Sequence, residues 1–283
     1  MHPNGYIGRK MHLPPLKEKP ALIIAAFGSN TRARAALDIV QVHLDRHFSK
    51  FDIFWAYTSE IIRRKTGLPS LHQTLAQVEA AGFRKAVVQP LHIFPGTEYR
   101  QIEETCTYFP GLRVFLGETL CHRWQFIKKT LDVMEQDFLP LYQGINLLAM
   151  HGTPLAADPV NMVYLGVEKL VADRYPHVLA AAVEGVPDPD ALFLKMCRQG
   201  ISHDFKRARI LPMMYFAGMH ARDDLMGEDG SWKTRLEEMG FTVDCPMVDI
   251  DGESLFKGLA FYPEVIDFIV QRIERTLVLA QYF

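Results

Sequence analysis

Long uninterrupted apolar runs are missing from this 283-residue chain. A membrane-crossing helix needs about 20 consecutive apolar residues, and the nearest candidates meet a charge, a glycine or a proline within a few positions. Cysteine is sparse: Cys106, Cys121, Cys197 and Cys245 are scattered with no CxxC pair, which fits a reducing, cytoplasmic setting better than a disulfide framework. Neither sign of charge is in excess, with 31 Lys and Arg against 33 Asp and Glu for a formal net charge of −2. No whole-molecule field therefore argues for nucleic acid or an anionic membrane as partner, and an acidic ligand must be met locally. The opening stretch, MHPNGYIGRKMHLPPLKEKP, places proline and charge where a secretory signal needs an apolar segment. Standard nucleotide signatures and the GxSxG elbow of serine hydrolases are also lacking.

What is present is an alternation of strand-length apolar runs with helical segments. Residues 1–20 read as a flexible arm, since Pro14, Pro15 and Pro20 oppose regular structure. A first α/β lobe is expected over residues 21–140, with strands at 21–27, 51–57, 86–94 and 113–116 and helices up to Phe48, over 71–81 and over 123–138. Pro140 to Gly144 marks a boundary. The second lobe, 141–283, is expected to carry strands at 145–150, 178–183, 210–216 and 242–248, and helices at 232–239 and 263–277. The stripe Val265, Ile266, Ile269, Val270 and Ile273 makes the last helix a core element that can pack back on the first lobe.

The second half restarts the first. ALIIAAFGS is echoed by INLLAMHGT, and AVVQPLHIFPGTEY by ARILPMMYFAGMHA, with Pro90 over Pro212 and Gly96 over Gly218 at offsets of about 120 residues. Phe27 then faces His151, and Glu98 faces His220. The expected architecture is α/β: two similar Rossmann-like lobes with parallel sheets flanked by helices and a cleft between them.

Three residues follow apolar strands in the second half: His151 in MHGTP, Glu184 in AVEGVPD and His220 in FAGMHARDD. In parallel sheets ligands bind beyond the carboxyl ends of the strands, so these loops should converge. Two imidazoles and a carboxylate suit Co, Ni, Zn or Fe better than Mg. Gly28, Ser29 and Gly152 lie in turns whose amides could face an anion, although ordinary turn chemistry is the favoured explanation. His92 is expected within a strand, as a semi-buried histidine or a cleft-facing ligand to metal or haem. Arg32, Arg34, Arg63, Arg64, Arg100 and Arg222 stand near strand ends or helix starts, and those reaching the cleft would suit a polycarboxylate.

The segments ALIIAAFGSNTRARAALD, QPLHIFPGTEY, AMHGTP, AAVEGVPD and LPMMYFAGMHARDDLMGEDGSW resemble the anaerobic cobalt chelatases, the class II sirohydrochlorin cobaltochelatases of cobalamin (vitamin B12) biosynthesis, from about Ala21 to Phe268. The resemblance implies a lyase that inserts Co²⁺ into sirohydrochlorin or its precorrin-2 precursor without ATP, and a homo-oligomer. It carries the metal-binding residues onto His151, Glu184 and His220, with the two histidines in catalysis, and leaves Gly28, Ser29, Arg32, His92, Gly152 and Arg222 as candidate contacts to the tetrapyrrole. Fe²⁺ or Ni²⁺ as the metal, and a non-catalytic metal or haem carrier, are the competing readings.

Overall fold

The computed structural model describes residues 14–28, 34–107, 109 and 111–282. Two four-stranded parallel sheets organise it. The first has order β2-β1-β3-β4, from β1 (Ala21–Ala26), β2 (Ile53–Tyr57), β3 (Lys85–Pro90) and β4 (Arg113–Leu116). The second repeats the pattern as β6-β5-β7-β8, from β5 (Ile145–Gly152), β6 (Val178–Glu184), β7 (Arg207–Met213) and β8 (Thr242–Asp244). The internal likeness has a counterpart in register: Pro90 pairs with Ala25, and Pro212 with Ala149.

Helices connect the strands: α1 (Arg34–His47), α2 (Glu60–Thr66), α3 (Leu71–Ala80), α4 (Thr97–Thr107) and α5 (Trp124–Met134) in the first half, then α6 (Val160–Arg174), α7 (Pro189–Gln199), α8 (Ile201–Asp204), α9 (Trp232–Glu238) and α10 (Pro263–Tyr282). Local chemistry sets their ends. Ser70 and Gln73 form a reciprocal capping box at α3, and Asp188 caps α7 ahead of Pro189 at its first position.

Strand alternation distributes the core over two faces. Leu22 and Ile24 of β1 join a cluster that continues through Val40 and Leu44 of α1, Leu148 and Met150 of β5, Val167 of α6, and Val265, Ile269 and Ile273 of α10. Ile23 and Ala25 face the other way, toward Leu75, Val78 and Ile102. Leu147 and Ile210 similarly pack on Trp232 and Leu236. Because both faces of each sheet are covered, the strands are almost continuously apolar rather than alternating with polar residues.

Several boundaries differ from the sequence expectation. β3 stops at Pro90, so His92 lies past the strand instead of within it. β7 spans Arg207–Met213, releasing Met214, Tyr215 and Phe216 from the sheet. The single strand expected over 242–248 is divided at Cys245-Pro246: β8 stays in the sheet, while β9 (Met247–Ile250) pairs antiparallel with β10 (Glu253–Phe256). Proline offers no N–H to continue a ladder, which accounts for the break. In the segment expected to be a flexible arm, residues 14–20 dock where the chain enters β3 and β2. Lys17 donates its backbone N–H to the Gly82 carbonyl at 3.0 Å, and its Nζ pairs with Asp52 at 2.6 Å.

α10 leaves the second half and packs on β3, β4, α1 and α5. Its Arg272 is buried, yet it faces carbonyls in place of a carboxylate: Nε donates to Thr119 O at 3.2 Å, Nη2 to Leu120 O at 2.7 Å and Nη1 to Phe268 O at 2.6 Å. The guanidinium lies 3.8 Å from the Phe126 ring centroid. Burial pulls its pKa below the ordinary arginine value, while these contacts engage three of its five N–H donors. Arg272→Ala is expected to lower stability by about 3 kcal/mol, because it strands buried carbonyls as well as removing packing; chemical denaturation followed by circular dichroism measures this.

Burial also decides thiol reactivity. It pushes Cys106, Cys121 and Cys245 up to about 12, whereas Cys197 is exposed. Thiolate is the reactive form. Alkylation of the native protein at pH 8, read by peptide mass spectrometry, is therefore expected to modify Cys197 and to spare the other three until denaturant is added.

Candidate metal and proton-transfer site

The carboxyl ends of β1, β3, β5 and β7 open on a shared cavity of about 630 Å³. Phe27 and Gly28 follow β1, Leu91 to Phe94 follow β3, His151 and Gly152 end β5, and Met213 to Phe216 leave β7. The wall is largely apolar, with a few polar groups set into it: His92, Glu98, His151, Asp158 and His220. That combination is usual for a ligand site, since apolar walls supply affinity and sparse polar groups orient the ligand.

His151 and His220 come together. Their ring centroids are 4.6 Å apart at an interplanar angle of 78°. His151 lies within β5 and its Nδ1 is 3.2 Å from the Gly152 carbonyl. His220 lies well beyond the end of β7, against the expectation of three matched strand ends, and begins a π-helical turn over Ala221–Leu225. Its Nδ1 is 2.6 Å from Asp224 Oδ2. Carbonyl and carboxylate oxygens accept from an N–H, so both rings are arranged to keep Nε2 as the lone-pair nitrogen.

Glu184 is elsewhere. It ends β6 opposite Gly152, its side chain is exposed, and it is not among the cavity-lining residues. Among the described residues, no three His, Cys, Asp or Glu side chains converge closely enough to hold a metal ion in this arrangement. The backbones are nevertheless adjacent: Thr153 donates to the Glu184 carbonyl at 3.0 Å. Gly152, at φ +79°, permits this approach, because a Cβ there would collide with that carbonyl. Gly28, at φ +97°, lines the cavity from the other side, with Tyr57 and Ile62 within contact of where a Cβ would stand.

Glu98, in the first turn of α4, is the carboxylate that faces the histidines from the first lobe. His92 is buried and its Nε2 lies 3.3 Å from Glu98 Oε2, an ion-pair distance without hydrogen-bond alignment at either ring nitrogen. Burial works against the Glu98 charge, but the adjoining His92, and after it His151, outweigh it and hold the carboxyl below the ordinary glutamate range. Glu98 is the repeat counterpart of His220, and that equivalence is its one signal in the sequence, since the two stand on one cavity.

Asp158 plays a different part. Its Oδ2 accepts from Thr97 N at 3.0 Å and Thr97 Oγ1 at 2.6 Å, while Oδ1 accepts from Val160 N at 3.1 Å. The remaining candidates do not gather here. Arg222 is exposed and bonded to Asp223, Arg64 pairs with Glu60, and neither lines the cavity. Ser29 and Arg32 fall outside the described residues.

The family model for cobalt chelatase (CbiK) matches residues 20–278. The chain is 26% identical over 275 residues to the sirohydrochlorin cobaltochelatase of Salmonella typhimurium, covering 93% of this chain and 98% of that protein. It is 25% identical over 250 residues to the sirohydrochlorin cobaltochelatase CbiKC of Nitratidesulfovibrio vulgaris, covering 82% and 83% respectively. In fold it is similar to SirB from Bacillus subtilis with Fe³⁺, at a TM-score of 0.62 and 14% identity over 93% of this chain and 97% of that one.

The depressed Glu98 pKa has a pH consequence. A carboxylate more acidic in the folded than in the unfolded state adds stability above its unfolded pKa, and that contribution is lost as pH falls through the folded value. Glu98→Gln is therefore expected to be less stable than wild type at pH 7 and to close the gap between pH 5 and about pH 3; urea midpoints at the two ends measure it.

Proposed function

The chain belongs to the cobalt chelatase (CbiK) family, and on that premise we propose that it inserts Co²⁺ into sirohydrochlorin, in the cytoplasm and without ATP. Insertion exchanges two pyrrole N–H protons for one divalent cation, so a site needs groups that hold the metal and a group that accepts protons. The observation that carries this reading is the paired imidazoles of His151 and His220 facing the ionised Glu98 across one cavity.

In this scheme His151 and His220 receive the metal ion through Nε2, a ligand set suited to late first-row divalent metals. Glu184 completes it from the adjoining strand: its exposed carboxylate has no bonding partner among the described residues, and its backbone abuts Gly152. Glu98 accepts the pyrrole protons and, being half-exposed beside His92, releases them to solvent. The macrocycle lies against Phe27, Phe216 and Met219, whose accessible apolar surface suits a flat conjugated ring. Expulsion of water from this wall strengthens the metal and proton contacts alike.

The test is steady-state insertion into sirohydrochlorin with Co²⁺, Fe²⁺ and Ni²⁺, followed optically against an enzyme-free control. Cobalt insertion faster than the control is expected, with His151→Ala and His220→Ala each losing about 100-fold or more in kcat/KM. Glu184→Gln is expected to weaken Co²⁺ binding, and Glu98→Gln to lower kcat with Co²⁺ affinity kept. Tight metal binding without acceleration for any metal would instead identify a carrier, and undiminished turnover in both histidine variants would overturn the site.

A further inference from the structure

We propose that Asp224 is the positioning residue for His220: it fixes the ring's tautomer and direction so that Nε2 presents its lone pair to the cavity. The proposal rests on His220 being a metal ligand in the reading above. The two residues share one stiff piece of backbone. The π-helical turn Ala221–Leu225 is closed by Met226 N donating to the Ala221 carbonyl at 3.1 Å, and Arg222 N donates to the Gly218 carbonyl at 3.1 Å. Ala221 and Leu225 are fully buried and anchor the turn. His220 and Asp224, four residues apart, are thereby held on the same side of it, with Nδ1 to Oδ2 at 2.6 Å.

Hydrogen-bond chemistry then leaves one arrangement. An ionised carboxylate only accepts, so His220 Nδ1 must carry the proton, and in the neutral ring Nε2 is left as the lone-pair nitrogen. A histidine ligand whose other nitrogen donates to an oxygen is the usual way a protein sets the orientation of a metal-binding imidazole. His151 shows the weaker form of the same device, with Nδ1 3.2 Å from a neutral backbone carbonyl. The neighbouring Asp223 takes no part, because it is bonded to Arg222 through Nε at 2.7 Å and Nη2 at 3.0 Å.

The experiment reads the tautomer directly. In protein labelled with ¹⁵N-histidine, two-bond proton–nitrogen correlations distinguish Nδ1–H from Nε2–H, and His220→Gln identifies the His220 signal by its loss. Wild type is expected to show Nδ1–H at His220 and Asp224→Ala to move it toward Nε2–H, with Co²⁺ affinity falling by about 10- to 100-fold in a titration of the metal alone. Asp224→Asn, nearly isosteric and still an acceptor, is expected to keep the tautomer and lose less affinity, while Asp223→Asn changes neither. An Nε2–H signal in wild type, or an Asp224→Ala affinity within about threefold of wild type, overturns the proposal. Tautomer and affinity shifts as expected, in a protein that inserts no cobalt, would support the positioning role and count against the chelatase reading alone.

Discussion

A single carboxylate, Asp158, stands at the start of two helices at once. It accepts from Thr97 at the head of α4 and from Val160 at the head of α6, which belong to different halves of the chain. Each helix start leaves unpaired N–H groups and a partial positive charge, and one buried anion answers both. Burial alone would raise its pKa, but the Thr97 and Val160 bonds, with the charge of Arg100, hold it below the ordinary range. The two sheets are thus fixed relative to each other beside the cavity, where the Phe94 and Tyr164 rings also meet edge to face at 5.0 Å.

With that relation set, parallel topology does the rest. Every strand of a parallel sheet ends on the same edge, so two sheets joined in this way present their carboxyl ends to a common space. α10 closes the arrangement from behind, running from the second half onto β3 and β4 with Arg272 gripping the carbonyls of Thr119 and Leu120. The cavity floor is therefore built on rigid strands, while His220 sits on a turn beyond its strand.

Two acids at the cavity illustrate how environment assigns roles to one chemical group. Asp158 has both oxygens engaged by donors in fixed geometry, which suits a brace. Glu98 meets His92 at ion-pair distance without alignment, leaving its lone pairs available for proton transfer. Both are held in the charged form, so ionisation does not distinguish them; the number of aligned donors does.

The alternating β/α pattern, the internal repeat and the candidacy of His151 and His220 were all legible in the sequence, because apolar periodicity and residues after strands are local properties. Pro90 and Pro212 even kept their correspondence in the register of the two sheets. Glu98 and Asp224 were less so: one is recognisable only through its repeat partner, the other only through helical spacing from His220. The sequence also could not tell that β7 ends at Met213, since Met214 to Phe216 are as apolar as the strand before them and stay packed on the core beside the cavity after leaving the sheet. What tertiary structure alone decided is which polar groups share a space. Glu98 and His220 lie more than a hundred residues apart, and their lining one cavity follows from the packing of two sheets, an interaction over distances that no local pattern encodes.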